Sequence, residues 1–288
     1  MPWHEPSENS DAQGARLAPL LPPRRPRMGR PLKDHHLVVE AIVWLDRTGA
    51  PWRDLPDSFG PWRTVASRFY RWRRQGVFDR LLAEITRRAD VLGELDWFGA
   101  LRGRQRGPRP PARRRRTAPA ERGGPQGGSA PPLDEALGRS RGGLSSKLHL
   151  RVEGGGRPLS ILVTAGQRHE APLLPALLDA GAVKRSGPAG RPGRGRPRKR
   201  PERLVADKGY SYPSVRAELR RRGIGAVIPT RSNQRRRPGF DRAVYAERNR
   251  VERCVNRLKQ FRRVATRYEK RACNYLAMVK LAAALIWL

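Results

Sequence analysis

Two carboxylates and three side chains around one of them have the types and spacing to handle a phosphodiester. Tyr245, Arg248, Glu252 and Lys259 recur at steps that bring them onto one stripe of a helix, with Val255 or Asn256 between the last two. Glu252 therefore has an arginine one turn before it and a lysine two turns after. Alone, that pattern equally describes an exposed helix with favourable charge spacing. Asp207 ends the apolar run RLVA, 45 positions earlier (252 − 207). An aspartate there can be a turn cap, yet α/β proteins concentrate function at the C-terminal ends of strands. A strand-end aspartate and a helical glutamate in a very basic chain point to metal-assisted chemistry. Two Mg2+ ions ~4 Å apart, held by carboxylates, activate a nucleophile and stabilise a leaving oxygen.

The elements that must position these groups follow from pattern. The stretch YAERNRVERCVNRLK has no Gly or Pro and repeats Val251, Val255 and Leu258 at helical spacing, which predicts one helix over 245–259. RLVADKGY predicts a short buried strand delivering Asp207, with Gly209 just after. Upstream, SSKLHLRV alternates, EGGGR turns and PLSILVT alternates again, a β-hairpin. Residues 170–180 read as helix confined to its later part by Pro172 and Pro175. The stretch 184–202 reads as a solvated basic loop, though GRGRPRKRP also resembles an AT-hook-like minor-groove binder. After Asp207, YPSVRAELRRRG reads as helix, GAVIPT as strand and RSNQRRRPGF as a basic loop. The run YLAMVKLAAALIWL is too short to span a bilayer and predicts a buried closing helix from about Asn274. Hairpin, helix, strand, helix, strand, helix make a mixed α/β sheet domain over 134–288.

The first third differs. Residues 1–33, rich in Pro and Arg, read as a flexible, loosely docked arm. Over 34–97 three amphipathic helices are expected. Asp34 caps the first and Gly49 ends it, and Pro61 opens the second. The second buries Val65, Phe69 and Trp72 and surrounds them with arginines, of which Arg63, Arg68 and Arg71 are the candidate DNA contacts. This suits a helix-turn-helix-like DNA reader, and equally a small helical bundle with a basic surface. Residues 98–133 have no periodicity and few apolar residues. Between Phe98 and Thr117 there are eight arginines and no acid, so this part reads as a disordered basic segment.

A net charge of +35 and a pI near 11.7 call for a polyanionic partner. Trp62, Phe69, Tyr70 and Trp72 among the arginines favour a folded DNA-contacting surface over a disordered polycation. Two cysteines, Cys254 and Cys273, exclude a disulfide framework and a zinc finger. His35, His36, His149 and His169 are scattered over different elements and read as structural or surface residues. The N-terminus has no signal-peptide pattern, and no membrane partner is expected. The reading is a cytoplasmic protein acting on DNA.

Tyr245–Arg248–Glu252–Lys259 resembles the Y-x2-R-x3-E-x6-K signature of bacterial insertion-sequence DDE transposases of the IS-four/IS-five group. VADKGYS resembles the segment holding that family's second catalytic aspartate. EALGRSRGGLSSKLHLRVEGGGRPLSILVTAGQRHE, NYLAMVKLAAALIWL and GRPLKDHHLVVEAIVWLDRTGAPWRDLPDSFGPWRTV are also similar to members of the group, so the resemblance covers most of the chain from about residue 12. It implies an RNase H-like catalytic domain after the helical DNA-binding domain, acting on double-stranded DNA at terminal inverted repeats. It also implies a homo-oligomer on DNA, associated with the bacterial nucleoid, and two Mg2+ ions. By matching position, Asp207 and Glu252 are the implied catalytic metal ligands; Arg248 and Lys259, with Tyr245 of the same signature, are the implied DNA contacts.

One part of the family pattern is missing. The first aspartate is expected a few residues after LDW, in a V-D-G-[ST] strand, and the FGALRGRQRGPRPP that follows LDW reads as neither strand nor aspartate-bearing. One permitted choice of codons for 98–117, read one base later, encodes SVHYVDGSVVRAHQHAAGA. That text holds an alternating strand with the aspartate, its codon straddling Gly103 and Arg104. The expectation is one base gained, or two lost, near codon 98, with frame restored within 118–133. The sheet then lacks its first strand. Asp96, Asp134 and Glu135 flank the break without strand context. The alternative to a working transposase is a catalytically inactive protein that occupies transposon ends and represses intact copies. A nonspecific nucleic-acid coat is a third reading.

Overall fold

The computed structural model describes residues 17–22, 34–102, 135–140, 143–187, 193–235 and 238–288. Three helices come first, α1 (His35–Thr48), α2 (Trp62–Arg74) and α3 (Val77–Val91). Asp34 caps α1 through its carboxylate, which accepts from His36 N at 3.0 Å, and Gly49 ends it in the left-handed region at φ 72°. Tyr268 and Arg262 crowd the point where a Cβ on Gly49 would sit, so glycine is needed there twice over.

The sheet comprises β1 (Gly99–Arg102), β2 (Gly138–Ser140), β3 (Gly143–Glu153), β4 (Pro158–Ala165), β5 (Arg203–Ala206) and β6 (Gly225–Val227). β3 and β4 form the expected hairpin. β1 pairs antiparallel with β3 and parallel with β5, and β5 pairs parallel with β6. The lanes therefore run β4-β3-β1-β5-β6. β2 lies on the same edge of β3 as β1: β1 faces residues 150–153 and β2 faces 143–145. Among the described residues, 146–149 have no partner in that lane.

A strand over 99–102 corrects two expectations, that Phe98–Arg102 belongs to a disordered segment and that the sheet lacks its first strand. Ala100 and Leu101 are both about 1% exposed and point into the two separate apolar clusters on either face of the sheet. A residue flanked by strands on both sides and covered on both faces needs no alternating pattern, and GALR has none. Residues 103–134, with Asp134 and the rest of the segment, lie outside the described residues.

The remaining helices are α4 (Leu174–Ala180), α5 (Pro213–Arg221), α6 (Arg242–Ala246), α7 (Asn249–Lys259), α8 (Arg262–Ala265) and α9 (Ala272–Trp287). α9 is the closing helix the sequence predicts. Met278, Val279, Ala282, Ala283 and Ala284 are fully buried, so it is apolar nearly all round, as a central core helix must be. It packs on α3, α1, α2, α7 and β4. One continuous core thus joins Ile42, Phe69 and Trp72 of the N-terminal helices to Val152 and Val205 of the sheet. The helical region shares its core with the sheet.

Two further expectations change. Leu17, in the supposed arm, is 1% exposed and belongs to this core. The basic loop after α4 is docked over its described part. Val183 bridges Arg198, Arg198 lies 4.2 Å over the Trp97 ring, and Lys199 meets Asp179 at 2.6 Å. Arginine stems and guanidinium faces cover apolar surface well, which charge counting alone does not register.

Candidate catalytic and DNA-contacting site

Asp207 follows Ala206 directly, at the C-terminal end of β5. It caps a turn, as the sequence allowed: its Oδ1 accepts from Gly209 N at 2.9 Å over the short turn Lys208–Tyr210, and it lies at the C-terminal edge of the sheet. Gly209 has to be small: a Cβ there would lie 2.8 Å from Asp207 Oδ1 and 3.5 Å from Glu170 Oε2. The two carboxylates therefore flank one glycine. Glu170 also pairs with Lys147 at 2.9 Å. Burial, and then the charges of Asp207 and Glu170, push the Tyr210 hydroxyl up, and that hydroxyl has no hydrogen-bond partner among the described residues.

Glu170 was not singled out by sequence: it closes the family-like segment ending in GQRHE and opens the expected helix over 170–180, with no second carboxylate at helical or strand spacing to mark it. Arg231 was also missed. Its loop folds back so that Nε donates to Lys208 O at 3.1 Å and the guanidinium covers the Tyr212 ring at 4.2 Å. A cation is thereby fixed beside the Asp207 turn.

Glu252 lies on the first turn of α7, half-buried, and Arg248 donates to its Oε1 through both terminal nitrogens at 3.0 and 3.1 Å. Val251, Cys254, Val255 and Leu258 form the buried face, which packs α7 onto β1 and β3. The predicted helix over 245–259 is in fact two. Arg248 N bonds to Tyr245 O and Val251 N to Arg248 O, the tighter three-residue spacing, so the chain bends between α6 and α7. Tyr245 falls on α6 and packs on Phe240 at 5.3 Å, off the Glu252 stripe. Lys259 ends α7 and is exposed.

Of the α2 arginines, Arg63 and Arg71 are exposed, Arg63 lying 5.5 Å from the Trp62 ring centre. Arg68 departs from the DNA-contact expectation. It is 8% exposed, folded over Trp72, and burial followed by the charge of Arg71 lowers its pKa. The histidine expectation holds for His149, which is fully buried with Nε2 2.8 Å from Thr164 Oγ1.

The carboxylates flanking the break do not gather at Asp207. Asp96 precedes β1, where it accepts from Phe98 N and faces Arg250 at 3.6 Å. Since Gly99 is level with Leu204, that is roughly 20 Å down the sheet from Asp207 at about 3.3 Å per residue. Glu135 Oε2 accepts from Ala272 N at the start of α9. Among the described residues, no three His, Cys, Asp or Glu side chains come close enough to hold a metal ion. Asp207 and Glu170 make a pair, which does not by itself fit a two-metal centre.

An antiparallel meander continued by two strands parallel to β1, with an aspartate at the C-terminal edge and a helix across the centre, is the frame of an RNase H-like domain. A family model described as a transposase DDE domain matches residues 134–287, and one described as a transposase of the IS4/5 family matches residues 10–82. The first alone takes in more than half the chain, and the chain belongs to the DDE transposases of the IS4/IS5 type. Among curated relatives, a transposase for insertion sequence element IS6501 from Brucella ovis is 33% identical over 149 residues, 50% of this chain and 99% of that one. A transposase for insertion sequence element IS402 from Burkholderia cepacia is 36% identical over 141 residues, 49% of this chain and 62% of that one. A solved Mos1 transposase paired-end complex with left transposon end aligns at a TM-score of 0.26 and 15% identity, with 82% of each chain covered. That likeness is too slight to carry an argument. No helix among the described residues is long and apolar enough to cross a membrane.

Proposed function

We propose that this chain binds double-stranded DNA at the terminal inverted repeats of an insertion element and is defective in cutting it, because its metal site is incomplete. The observation that carries this reading is register. β1 runs parallel to β5 with Leu101 level with Ala206, so the backbone of Arg102 is level with Asp207. A carboxylate sharing a cation with Asp207 belongs on the continuation of β1, and the sequence there is Gly103–Arg104. The offset reading VDG supplies an aspartate at that point of the chain.

The strand is present: pairing of β1 is regular up to Arg102, so the proposed frame disturbance bears on the aspartate expected just beyond it and not on the strand as a whole. On re-entry, Arg267 donates to Glu135 O and Ala136 O, and Glu135 reaches the start of α9. The Glu135 side-chain contact supports a frame restored within 118–133. Asp207 and Glu252 are then the retained Mg2+ ligands, and Arg248, Lys259, Tyr245, Arg63 and Arg71 the DNA contacts. The basic surface serves a repressor as well as an enzyme.

The test is paired binding and nicking on inverted-repeat duplexes with Mg2+ or Mn2+. Salt-sensitive binding without nicking is expected. Replacing 98–117 with the offset text SVHYVDGSVVRAHQHAAGA is expected to restore nicking, which Asp207→Ala then abolishes. A second reading, a working transposase, is favoured by the position of Glu170 beside Asp207. Nicking by the unaltered chain that disappears in Asp207→Ala, Glu252→Ala and Glu170→Gln establishes that reading and ends the first.

A further inference from the structure

Away from Asp207, a cavity of about 740 Å³ lies where the end of α1, the Trp52 turn and α2 meet the stretch between α8 and α9. Its wall combines three aromatic residues, Trp52, Tyr70 and Tyr268, with Arg74, Lys270 and Arg271. Tyr268 is 42% exposed, among the most exposed large hydrophobic residues of the described chain, while Arg74, Lys270 and Arg271 are exposed at the rim.

The floor is built and not merely lined. Arg263, only 3% exposed, pairs with Glu269 at 2.6 Å, donates to Ala50 O and stacks on the Trp52 and Tyr268 rings at 5.5 and 6.0 Å. The only carboxylate in the wall, Glu269, is thus already neutralised. Arg263 Nε, and Nε of the neighbouring wall residue Arg73, are buried donors with no acceptor among the described residues. Both nitrogens are closed off from solvent; the groups open to an anion are the rim cations Arg74, Lys270 and Arg271, and a phosphate oxygen is an acceptor that such cations match well.

We infer that this cavity is a nucleotide site, taking a base against Tyr268 and the rings beside it and a phosphate among the rim cations Arg74, Lys270 and Arg271. Aromatic faces give sequence-tolerant stacking and clustered arginines and lysines hold the phosphate. A metabolite lacking either a flat ring or an anionic group leaves half of the wall unmatched. The nucleotide comes either from an unpaired position of the DNA strand or from a free nucleotide. The inference rests on the DNA-binding reading above only for the first source.

The test uses the full chain and fluorescence anisotropy on a blunt duplex, on the same duplex with a short single-stranded overhang, and with AMP, TMP or inorganic phosphate as competitor. About tenfold tighter binding of the overhang is expected, within what stacking of one base supplies. That increment should vanish in Tyr268→Ala and in the rim variant Lys270→Glu, while blunt-duplex affinity in Tyr268→Ala stays within about twofold. Circular dichroism melts verify that both variants fold, and Lys270, at the rim, is the safer of the two. Mononucleotide binding that both variants lose, with no overhang preference, assigns the site to the free nucleotide. Equal affinity for the two duplexes with no mononucleotide binding overturns the inference, as does inorganic phosphate competing as well as AMP in a manner indifferent to Tyr268→Ala. Loss of all duplex binding in the unaltered chain instead overturns the proposed function and leaves the mononucleotide arm standing.

Discussion

Asp207 caps a turn and is the proposed cation ligand, two roles that substitution can separate. Its capping bond to Gly209 needs an oxygen, whereas a cation needs its charge. Asp207→Asn is expected to leave stability within a few tenths of a kcal/mol, and Asp207→Ala to cost about 1 kcal/mol; urea denaturation distinguishes them. In the chain carrying the offset text with its aspartate, both should abolish nicking. Burial also explains a pH effect at His149, whose pKa is lowered from 6.5 to about 4, desolvation outweighing the attraction of Glu170. The unfolded chain takes up that proton first, so the stability from neutral His149 is complete above pH 6.5 and is lost as pH falls toward 4. Up to about 3 kcal/mol is at stake. Melting temperature should fall across that window more steeply in the unaltered chain than in His149→Gln.

At the scale of elements, what was legible was what carries its own pattern. The β3–β4 hairpin alternates around EGGGR, the strand before Asp207 ends at a glycine turn, and α9 is apolar for most of its length. What was not legible depends on neighbours. β1 is a strand only because β3 and β5 hold it, and the bend at residues 247–248 replaces a helix that local sequence permits. Arg68 has the composition of a DNA contact and the position of a packing residue. Glu170 joins the candidate site through a tertiary approach that no spacing announces, and the cavity wall draws on stretches more than 200 positions apart (271 − 52). The clasp on Arg267 is of the same kind. This buried residue, at the unusual φ of 35°, donates to Ala136, Glu135, Lys270, Glu269 and Ser146. Arg267→Ala strands several buried acceptors and is expected to cost about 3 kcal/mol, read as a lower denaturation midpoint at unchanged slope.

For the whole molecule, charge decides association and packing decides stability, and arginine serves both. Arg63→Ala and Arg71→Ala should each reduce the slope of log affinity against log salt by about 1. Arg68→Ala should leave that slope unchanged while lowering stability, because its stem and guanidinium lie over Trp72. A reduced slope in Arg68→Ala shows instead that the side chain swings out to the DNA.

β1 and β2 occupy one edge of β3, one ending at Arg102 and the other starting at Gly138, and the chain between them is anchored again at Glu135 by Arg267. Both ends of the intervening stretch are thus fixed by contacts that do not involve it. Closing such a loop costs free energy that grows only with the logarithm of its length, about 0.6 kcal/mol per doubling. Foreign sequence placed between Arg102 and Glu135 is therefore expected to leave the described scaffold folded, which a thermal melt checks, so a fluorescent or affinity module grafted there would report on the protein's encounters with DNA.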